Sequence, residues 1–408
     1  MDHSHLLAAE ASPADPGAHG LAPGLEGRCV LEICRVPFVG GAERIALNSA
    51  QAVRGGGGRA IIACPPGGHL EATVALEGLE GRSIAALSGR RGPAADLARA
   101  LWATLRNREV LSALVAQERV DLVHAHHPIG AYQAAQAARR AGAPIVLHVH
   151  ETLPVPRQYA ALAGWLRRGC DAFVCVSDAG RELLRSLGAP EARIHLVYNA
   201  VGPAFLGSPR PAELEGKAGP HIGVFGVLEP RKGQADLIKA LGRLSGDHPA
   251  ARLWIVGELS YAGNAAYIDE LKTLAAASGV GERVHFTGYR RDIPELMAAM
   301  DVVVLASREF ESLPTVLLES AALGRVSVAT DVGGVREILT DGVTGLVVPP
   351  SDPAALADAL AAALAPEAAR LGRAAREMAR TRFSPVRFER DLLGLFGDLV
   401  SAGRTPGR

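Results

Sequence analysis

Short apolar runs typical of β-strands alternate with helical patterns along this chain of 408 residues, and the alternation occurs in two series. In the first series, strand-like runs at 29–35 and 59–64 flank a helical pattern at 42–53. The second series starts with the apolar run 221–228. Such alternation predicts mostly parallel, doubly wound sheets with helices on both faces. We therefore expect an α/β protein with two doubly wound, Rossmann-like domains that face a central cleft.

The composition along the chain predicts where these domains begin and end. Residues 1–27 are rich in Ala, Gly, Pro and His and lack the basic start and continuous apolar run of a signal peptide, so we expect a flexible tail. The first domain is expected at 28–206. A Pro-rich, polar segment at 207–220 is interpreted as a linker, and 221–384 as the second domain. Residues 385–408 are expected to form an amphipathic helix that packs back on the first domain.

Charge and cysteine usage exclude several classes of protein. The chain has 43 basic and 43 acidic residues, so no overall field favours nucleic acid or an anionic membrane. Its five cysteines are odd in number and form no Cys-x-x-Cys pair, which favours reduced core residues and a cytoplasmic location. No apolar run approaches the 18 residues of a membrane-spanning helix.

Two carboxylates flank the predicted start of a helix in the second domain. Glu311 lies in the loop after a strand-like run at 301–306, and Glu319 lies inside the helix that follows. Pro314 suits the first helical position. The free amides around the helix start, together with two carboxylates, can hold a polyhydroxylated ligand and an anion. The alternative is that both are ordinary surface and helical glutamates.

A cationic turn and two glycine pairs predict a phosphate site. Arg231 and Lys232 follow the strand-like run 221–228 and precede a helix, which suits a diphosphate, although the usual nucleotide fingerprints are absent. Glycine pairs that end at Gly41 and Gly334 also precede helices, where backbone amides can approach a phosphate closely. A solvated turn and ordinary tight turns remain the alternatives.

Four histidines occur as two His-x-His pairs, His124 with His126 and His148 with His150. Alternate residues of a strand share a face, so each pair presents two imidazoles together. Three interpretations stay open: a metal site, for which no further ligand pattern stands out, a strand-end contact to a substrate hydroxyl, and histidines satisfied within the core.

A basic segment at 154–168 carries Trp165 between arginines. It is interpreted either as a helix that lies peripherally on the inner face of a membrane or as a solvated helix whose tryptophan is packed.

Taken together, these motifs resemble glycosyltransferase family 4, a family of retaining enzymes with the GT-B fold. The resemblance runs from about Cys29 to Phe396. In the second half, five motifs occur in the family's order, at 224–233, 284–294, 311–319, 331–337 and 341–350. In the first half, similar marks lie at 40–44, 123–126, 148–151, 175–178 and 197–201.

The resemblance implies a donor that is a nucleoside diphosphate-sugar and an acceptor that is a saccharide or lipid-linked saccharide. It implies transfer with retention and without a metal or other cofactor, in polysaccharide or glycolipid synthesis. The alternatives are a nucleotide-sugar epimerase or phosphorylase of the same fold, a non-catalytic binding protein, and a metal-dependent hydrolase built on the His-x-His pairs.

The resemblance also assigns residue roles. It implies catalytic roles for His150, Lys232 and Glu311, and a contact from His126 to the acceptor or the sugar. Glu319 would hold the ribose hydroxyls. The residues that it places at the donor are Gly41, Arg231, Tyr289, Arg290, Ser312, Leu313, Pro314, Thr315, Glu319 and Gly334.

One position departs from the family pattern. The family usually has Arg directly after the glycine that corresponds to Gly226, and here that residue is Val227. This Arg and the lysine normally share the leaving diphosphate. The departure implies that Arg231 substitutes for it, that the phosphate site differs, or that the activity is weakened.

Overall fold

The computed structural model describes residues 25–86, 93–150, 160–214, 219–259 and 265–403. Most of the predicted tail, the end of the predicted linker at 215–218 and the start of the basic segment at 154–159 lie outside the described residues.

The first domain is built on a parallel sheet of seven strands within the described residues. The strands are β1 (Cys29–Ile33), β2 (Arg59–Cys64), β3 (Glu80–Ser83), β4 (Leu122–Ala125), β5 (Ile145–Val149), β6 (Ala172–Cys175) and β7 (Ile194–Leu196). Their spatial order is β3-β2-β1-β4-β5-β6-β7. The helices are α1 (Gly41–Gly55), α2 (His69–Leu76), α3 (Pro93–Gln117), α4 (Pro128–Ala141), α5 (Ala160–Gly169) and α6 (Asp178–Ser186).

The second domain repeats this architecture, with six parallel strands in the part of it that the structure describes. They are β8 (His221–Phe225), β9 (Arg252–Val256), β10 (Val284–Gly288), β11 (Val302–Leu305), β12 (Val326–Thr330) and β13 (Leu346–Val348), in the order β10-β9-β8-β11-β12-β13. The helices of this domain are α7 (Gln234–Leu244), α8 (Ala266–Ala277), α9 (Ile293–Ala298), α10 (Thr315–Ala322), α11 (Val335–Ile338), α12 (Pro353–Leu364) and α13 (Ala369–Arg382). A last helix, α14 (Pro385–Ala402), follows them.

The prediction of two doubly wound α/β domains is therefore confirmed. In both sheets the chain starts in the middle, winds to one edge and then crosses to the other side, which creates a switch point at the carboxyl ends of the central strands. The central strands are buried on both faces, and their near-continuous apolar sequences follow from that.

Two strands escaped the sequence analysis because they lie at or near the edges of the sheet. β3 reads Glu-Gly-Arg-Ser and pairs with β2 on one side only. β7 has three residues and includes His195. Edge strands are short and polar, so neither carries an apolar run that a pattern search can detect.

The last helix packs against the first domain. Ser384 caps α14 by accepting a hydrogen bond from the Arg387 amide, and Pro385 occupies the first turn, as the sequence predicts. Phe388, Leu392 and Phe396 are buried in one core with residues of β1 and α1. The chain thus crosses between the domains twice, once after β7 and once before α14.

All five cysteines are buried and none forms a disulfide. Burial raises the pKa of the Cys29, Cys64 and Cys175 thiols to about 11, so these thiols are protonated and unreactive near neutral pH.

Candidate active site

Lys232 and Glu311 form the centre of the candidate site. They lie 79 positions apart, and the Lys232 ammonium donates to a Glu311 carboxylate oxygen at 2.5 Å. The Ser307 hydroxyl donates to the same oxygen at 2.7 Å. The side chains of Lys232 and Glu311 are 20% and 13% exposed. A partly exposed cation and a carboxylate are therefore held together at the carboxyl ends of β8 and β11.

The turn that carries Lys232 is fixed by a close backbone approach. Gly233 has a φ of 70°, and a Cβ atom at this position would lie 1.8 Å from the carbonyl oxygen of Ala306. Only glycine fits such an approach at a left-handed φ. Arg308 donates two hydrogen bonds to the Asp236 carboxylate, at 2.6 and 2.7 Å, and this pair ties the first turn of α7 to the loop after β11.

The glycine pair before α11 holds the loop that contains Glu311. A Cβ atom on Gly333 would lie 2.0 Å from the Glu311 carbonyl oxygen, and one on Gly334 would lie 1.9 Å from that of Ser312. The Gly334 amide donates to the Glu311 carbonyl at 2.8 Å. This amide is thus engaged with the loop, so the structure gives Gly334 a positioning contact rather than a free donor for a phosphate.

Helix α10 begins one residue later than predicted. Pro314 is extended, with a φ of −67° and a ψ of 112°, and it forms the N-cap, while Thr315 is the first helical residue. The prediction that Pro314 is the first helical residue was wrong, because a proline at the cap needs no helical ψ. Glu319 consequently lies just over one turn inside α10.

Glu319 is half-buried on this helix. Burial raises the pKa of its carboxyl group from the ordinary 4.5 to about 7, while Arg44 and a hydrogen bond with Thr315 oppose the rise. Arg44 belongs to α1 of the first domain, where it also pairs with Glu77 at 2.8 Å. A residue predicted for the donor site therefore lies within the electrostatic reach of the opposite domain.

The loop before α10 contains a buried hydroxyl without a partner. The Ser312 side chain is 3% exposed, and its Oγ atom has no hydrogen-bond partner among the described residues. Leu313 beside it is buried. Because an unpaired buried hydroxyl costs free energy, it marks a place where a ligand atom is expected.

Residues of the first domain face this loop. A Cβ atom on Gly41, the first residue of α1, would lie 3.9 Å from the Thr315 hydroxyl, and one on Gly334 would lie 3.1 Å from the Ser177 side chain. Gly41 of the first domain and Gly334 of the second therefore both lie beside the loop 311–315. This juxtaposition brings the carboxyl ends of both sheets to one cleft.

Glu337 joins the two domains at the end of this cleft. Its carboxylate accepts hydrogen bonds from the Asp178 and Ala179 amides at 2.9 and 3.2 Å, and from the Tyr198 hydroxyl at 3.0 Å. The two amides belong to the first turn of α6, so Glu337 caps a helix of the opposite domain.

Tyr289 and Arg290, predicted near the base of a nucleotide, lie after β10. The Tyr289 ring stacks on His69 of the first domain with centroids 4.3 Å apart. The Arg290 guanidinium donates to both oxygens of Asp292, at 2.8 and 2.6 Å. The Tyr289 ring is therefore part of a contact between the domains.

The four histidines form one buried cluster around Glu32 of β1. One Glu32 oxygen lies 2.7 Å from His124 Nδ1 and 2.7 Å from His126 Nε2. A second layer follows, with His148 Nδ1 at 3.1 Å from His124 Nε2, and His150 Nε2 at 2.8 Å from His126 Nδ1. His126 and His150, both predicted for the site, are thus in direct contact.

Burial lowers the pKa values of His126, His148 and His150. It lowers the pKa of His126 to about 4, and it holds the pKa values of His148 and His150 well below their ordinary range. One nitrogen each of His124, His126 and His148 lies within 4.8 Å of the others, a donor set that is able to hold a metal ion. The expectation that no metal is needed therefore stays a prediction.

Comparisons with known proteins agree with this geometry. The family description "Glycosyl transferases group 1" matches residues 219–365, and "Glycosyltransferase Family 4" matches residues 39–205. The D-inositol 3-phosphate glycosyltransferase of Xylanimonas cellulosilytica is 31% identical over 295 residues, which cover 66% of this chain and 68% of that protein. The chain belongs to glycosyltransferase family 4.

One further relative and one solved structure are similar to this family 4 member. The glycogen synthase of Mycobacterium tuberculosis is 32% identical over 284 residues, which span 65% of this chain and 66% of that protein. The crystal structure of Anabaena HepE in complex with UDP-glucose has a TM-score of 0.78 and 23% identity, and it covers 91% of this chain and all of that one. The predicted GT-B fold is therefore confirmed.

The position that departs from the family pattern is partly compensated in space. Val227 is 38% exposed and brings no charge. Arg231, however, extends toward the centre of the site, where its Nη1 atom lies 3.6 Å from Glu311 while its Nε donates to Glu229 at 2.7 Å. The glycosyltransferase thus has a second cation beside Lys232, supplied from a different position of the same turn.

Several residues of the site were missed by the sequence analysis. Ser307, Arg308 and Asp236 hold the Lys232 turn against the Glu311 loop, and Glu32 holds the histidines. A carboxylate inside an apolar strand, as Glu32 is in Cys-Val-Leu-Glu-Ile, was a signal available from the sequence, because a charged residue there requires partners.

The basic segment of the first domain is packed where it is described. The Trp165 ring contacts Tyr132 edge-on with centroids 5.0 Å apart and packs on the core, which agrees with the interpretation of a packed tryptophan. Across the described residues, none of the helices combines the length and apolar character that a bilayer crossing requires.

Proposed function

We propose that this glycosyltransferase transfers a hexose from a nucleoside diphosphate-sugar to an acceptor hydroxyl with retention of the anomeric configuration. The acceptor is a saccharide or a lipid-linked saccharide, in the synthesis of cell-surface polysaccharide or glycolipid. One observation carries this proposal: Lys232 and Arg231 both lie beside Glu311, in front of the loop that opens α10.

The reaction requires stabilisation of a departing diphosphate. As the bond to the anomeric carbon breaks, negative charge grows on the phosphate while the sugar gains positive character. Lys232 and Arg231 are the cations placed to meet that charge, and the amide groups at the start of α10 add a positive helix end. These groups suffice without a metal ion in this proposal.

The two glutamates take different parts. Glu311 is held by Lys232 and Ser307. In this proposal its carboxylate accepts hydrogen bonds from hydroxyl groups of the transferred sugar. Glu319 lies one turn deeper in α10. In this proposal it holds the ribose hydroxyls of the donor. Because Glu311 already pairs with a cation, it serves as a positioning acceptor and not as a nucleophile. Retention then requires attack from the face that the diphosphate leaves, with the leaving phosphate taking the proton of the acceptor.

The relatives support the classes of donor and acceptor. HepE has been crystallised with UDP-glucose, and the relative from Xylanimonas cellulosilytica is named for transfer to D-inositol 3-phosphate. A sugar nucleotide and a polyhydroxylated acceptor therefore both fit a cleft of this kind.

The donor is tested first by thermal shift with UDP-glucose, ADP-glucose and GDP-mannose. A bound donor stabilises the folded protein by mass action. At a hundredfold excess over Kd the free energy of unfolding rises by about 2.7 kcal/mol, and the melting temperature rises with it. Lys232→Ala is expected to weaken the shift, whereas Lys239→Ala, an exposed lysine on α7, is a matched control that leaves it unchanged.

The reaction is then tested by release of free nucleoside diphosphate from that donor. Release that depends on an added saccharide acceptor, with the product linkage retained by NMR, is the expected result. Donor binding without any release across acceptors would instead identify a non-catalytic binding protein. Conversion of the donor without an acceptor would identify an epimerase.

A further inference from the structure

Glu32 is the root of a branched chain of hydrogen bonds in the first domain. It lies fully buried in β1, and one of its oxygens accepts from the Ser49 hydroxyl at 2.6 Å. The other oxygen contacts a nitrogen of each of two imidazoles, His124 and His126, at 2.7 Å. Both imidazoles are buried with it.

The carboxylate is ionised and so can only accept. Its two oxygens face three polar side chains, Ser49, His124 and His126, at 2.6 to 2.7 Å, and a carboxylate that only accepts satisfies all three contacts. An ionised carboxylate has no proton to donate. The nitrogens that face it, His124 Nδ1 and His126 Nε2, must therefore both carry hydrogen.

This requirement propagates along each branch. A neutral imidazole has one donor nitrogen and one acceptor nitrogen. If His126 donates through Nε2, its Nδ1 accepts, and His150 must donate to it through Nε2 across the distance of 2.8 Å. In the other branch His124 Nε2 contacts His148 Nδ1 at 3.1 Å.

The two branches end differently. In the His148 branch the remaining nitrogen, Nε2, is buried and has no hydrogen-bond partner among the described residues. His150 is half-buried and directly follows β5, at the carboxyl edge of the sheet. Among the described residues, the His150 branch therefore ends at the edge where ligands bind in such folds, and the His148 branch ends in the core.

We infer that Glu32 and His126 are positioning residues that fix His150 in the tautomer protonated at Nε2, so that its Nδ1 accepts a hydrogen bond. The partner of this atom is a hydroxyl group of the donor sugar or of the acceptor, and that part of the inference rests on the proposed function. A histidine held in this way is an acceptor and not a cationic acid.

The tautomer is measured directly, without any substrate, by long-range proton–nitrogen NMR on protein labelled with nitrogen-15 in histidine. His150 is assigned among the 13 histidines by the signal that His150→Asn removes. The expected result in the wild type is a single neutral tautomer, protonated at Nε2. Protonation at Nδ1, a mixture of tautomers, or a cationic ring at neutral pH would overturn the inference.

Matched substitutions in the two branches test the positioning role. His126→Asn keeps a polar atom in the place of Nδ1 but breaks the contact with Glu32. The Asn side-chain amide can then offer either its oxygen or its NH2 group to His150, so we expect a mixture of His150 tautomers. His124→Asn makes the same change in the other branch and is expected to leave the His150 signal unchanged. Equal effects from both variants would indicate a purely structural cluster and overturn the role of His126.

The same pair is compared in turnover with the donor found by thermal shift. Loss of one positioned hydrogen bond of about 0.5–1.5 kcal/mol predicts roughly a two- to thirteenfold lower kcat/KM for His126→Asn and no change for His124→Asn. If no donor turns over, the proposed function fails. The tautomer measurement needs no donor, so it still decides whether Glu32 and His126 fix the protonation of His150.

Discussion

Glu319 offers a quantitative test of the site because its protonation is coupled to stability. The pKa of this carboxyl rises from 4.5 to about 7 on folding, chiefly through burial. Each pH unit corresponds to about 1.36 kcal/mol, so the full effect is about 3 kcal/mol of unfolding free energy.

The sign follows from the direction of the pKa change. The folded protein binds this proton more tightly than the unfolded chain does. The protonated Glu319 therefore contributes its full share to the free energy of unfolding below pH 4.5, and this share is lost as the pH rises through 7. Glu319→Gln replaces the carboxyl by a neutral group of the same shape and removes this loss. We expect the stability of the variant relative to the wild type to grow by about 2.5 kcal/mol between pH 5 and pH 8.

The assay is thermal unfolding of the second domain, reported by Trp254 in β9 after Trp102 and Trp165 are replaced by Phe. At about 2–4 °C per kcal/mol, the melting temperature of Glu319→Gln should gain about 5–10 °C over the wild type at pH 8 relative to pH 5. Glu367→Gln, an exposed residue of the same domain, is the control and should follow the wild type. Parallel pH curves for Glu319→Gln and wild type would refute the reasoning.

The same variant separates stability from function. If Glu319 holds the ribose hydroxyls, the stabilised Glu319→Gln protein should nevertheless show a raised KM for the donor, since a functional carboxylate was kept at a cost in stability. An unchanged KM would remove the ribose role.

Three further predictions concern the cleft. Lys232→Ala should lower kcat by about 10²-fold, the loss expected for a group that stabilises the leaving charge, and turnover at the wild-type rate would contradict it. Gly334→Ala should destabilise the second domain by about 1–3 kcal/mol or more in denaturant unfolding, because the new Cβ atom would lie 1.9 Å from the Ser312 carbonyl oxygen. The control is Gly394→Ala, at an exposed helical position with open space around the Cβ atom, which should leave the free energy of unfolding no lower than in the wild type. Glu337→Ala removes a carboxylate that accepts hydrogen bonds from two amides of the opposite domain, so it should destabilise the contact between the domains by about 1.5–3 kcal/mol. Solution scattering should then show a larger radius of gyration than for the wild type. An unchanged radius would show that other contacts hold the domains together.

Local sequence patterns sufficed for the main elements of the fold. The apolar run at 59–64 predicted β2 with the bounds that the structure has, because a strand that is buried on both faces must be largely apolar. The sequence also predicted the helix after Ser384, because the capping serine, the first-turn proline and the apolar spacing are all local features of neighbouring residues.

The site was predictable only in part. The sequence placed Glu311 and Lys232 in loops after strands, where ligands bind in such folds. It misplaced Pro314 by one residue, because cap and first-turn prolines have the same φ and differ only in ψ. It also assigned to Gly334 an amide contact with phosphate, whereas that amide donates to the Glu311 carbonyl.

What the sequence by itself determined is the set of elements and the chemical character of their loops, because secondary structure and burial follow from neighbouring residues. What only the tertiary structure decided is which loops meet. Lys232 reaches Glu311 across 79 positions, Glu337 caps a helix 159 positions away, and Glu32 binds His126 across 94 positions. Parallel strands bring their carboxyl ends to one edge whatever their order along the chain, so these partnerships depend on the winding of two sheets and not on any local pattern.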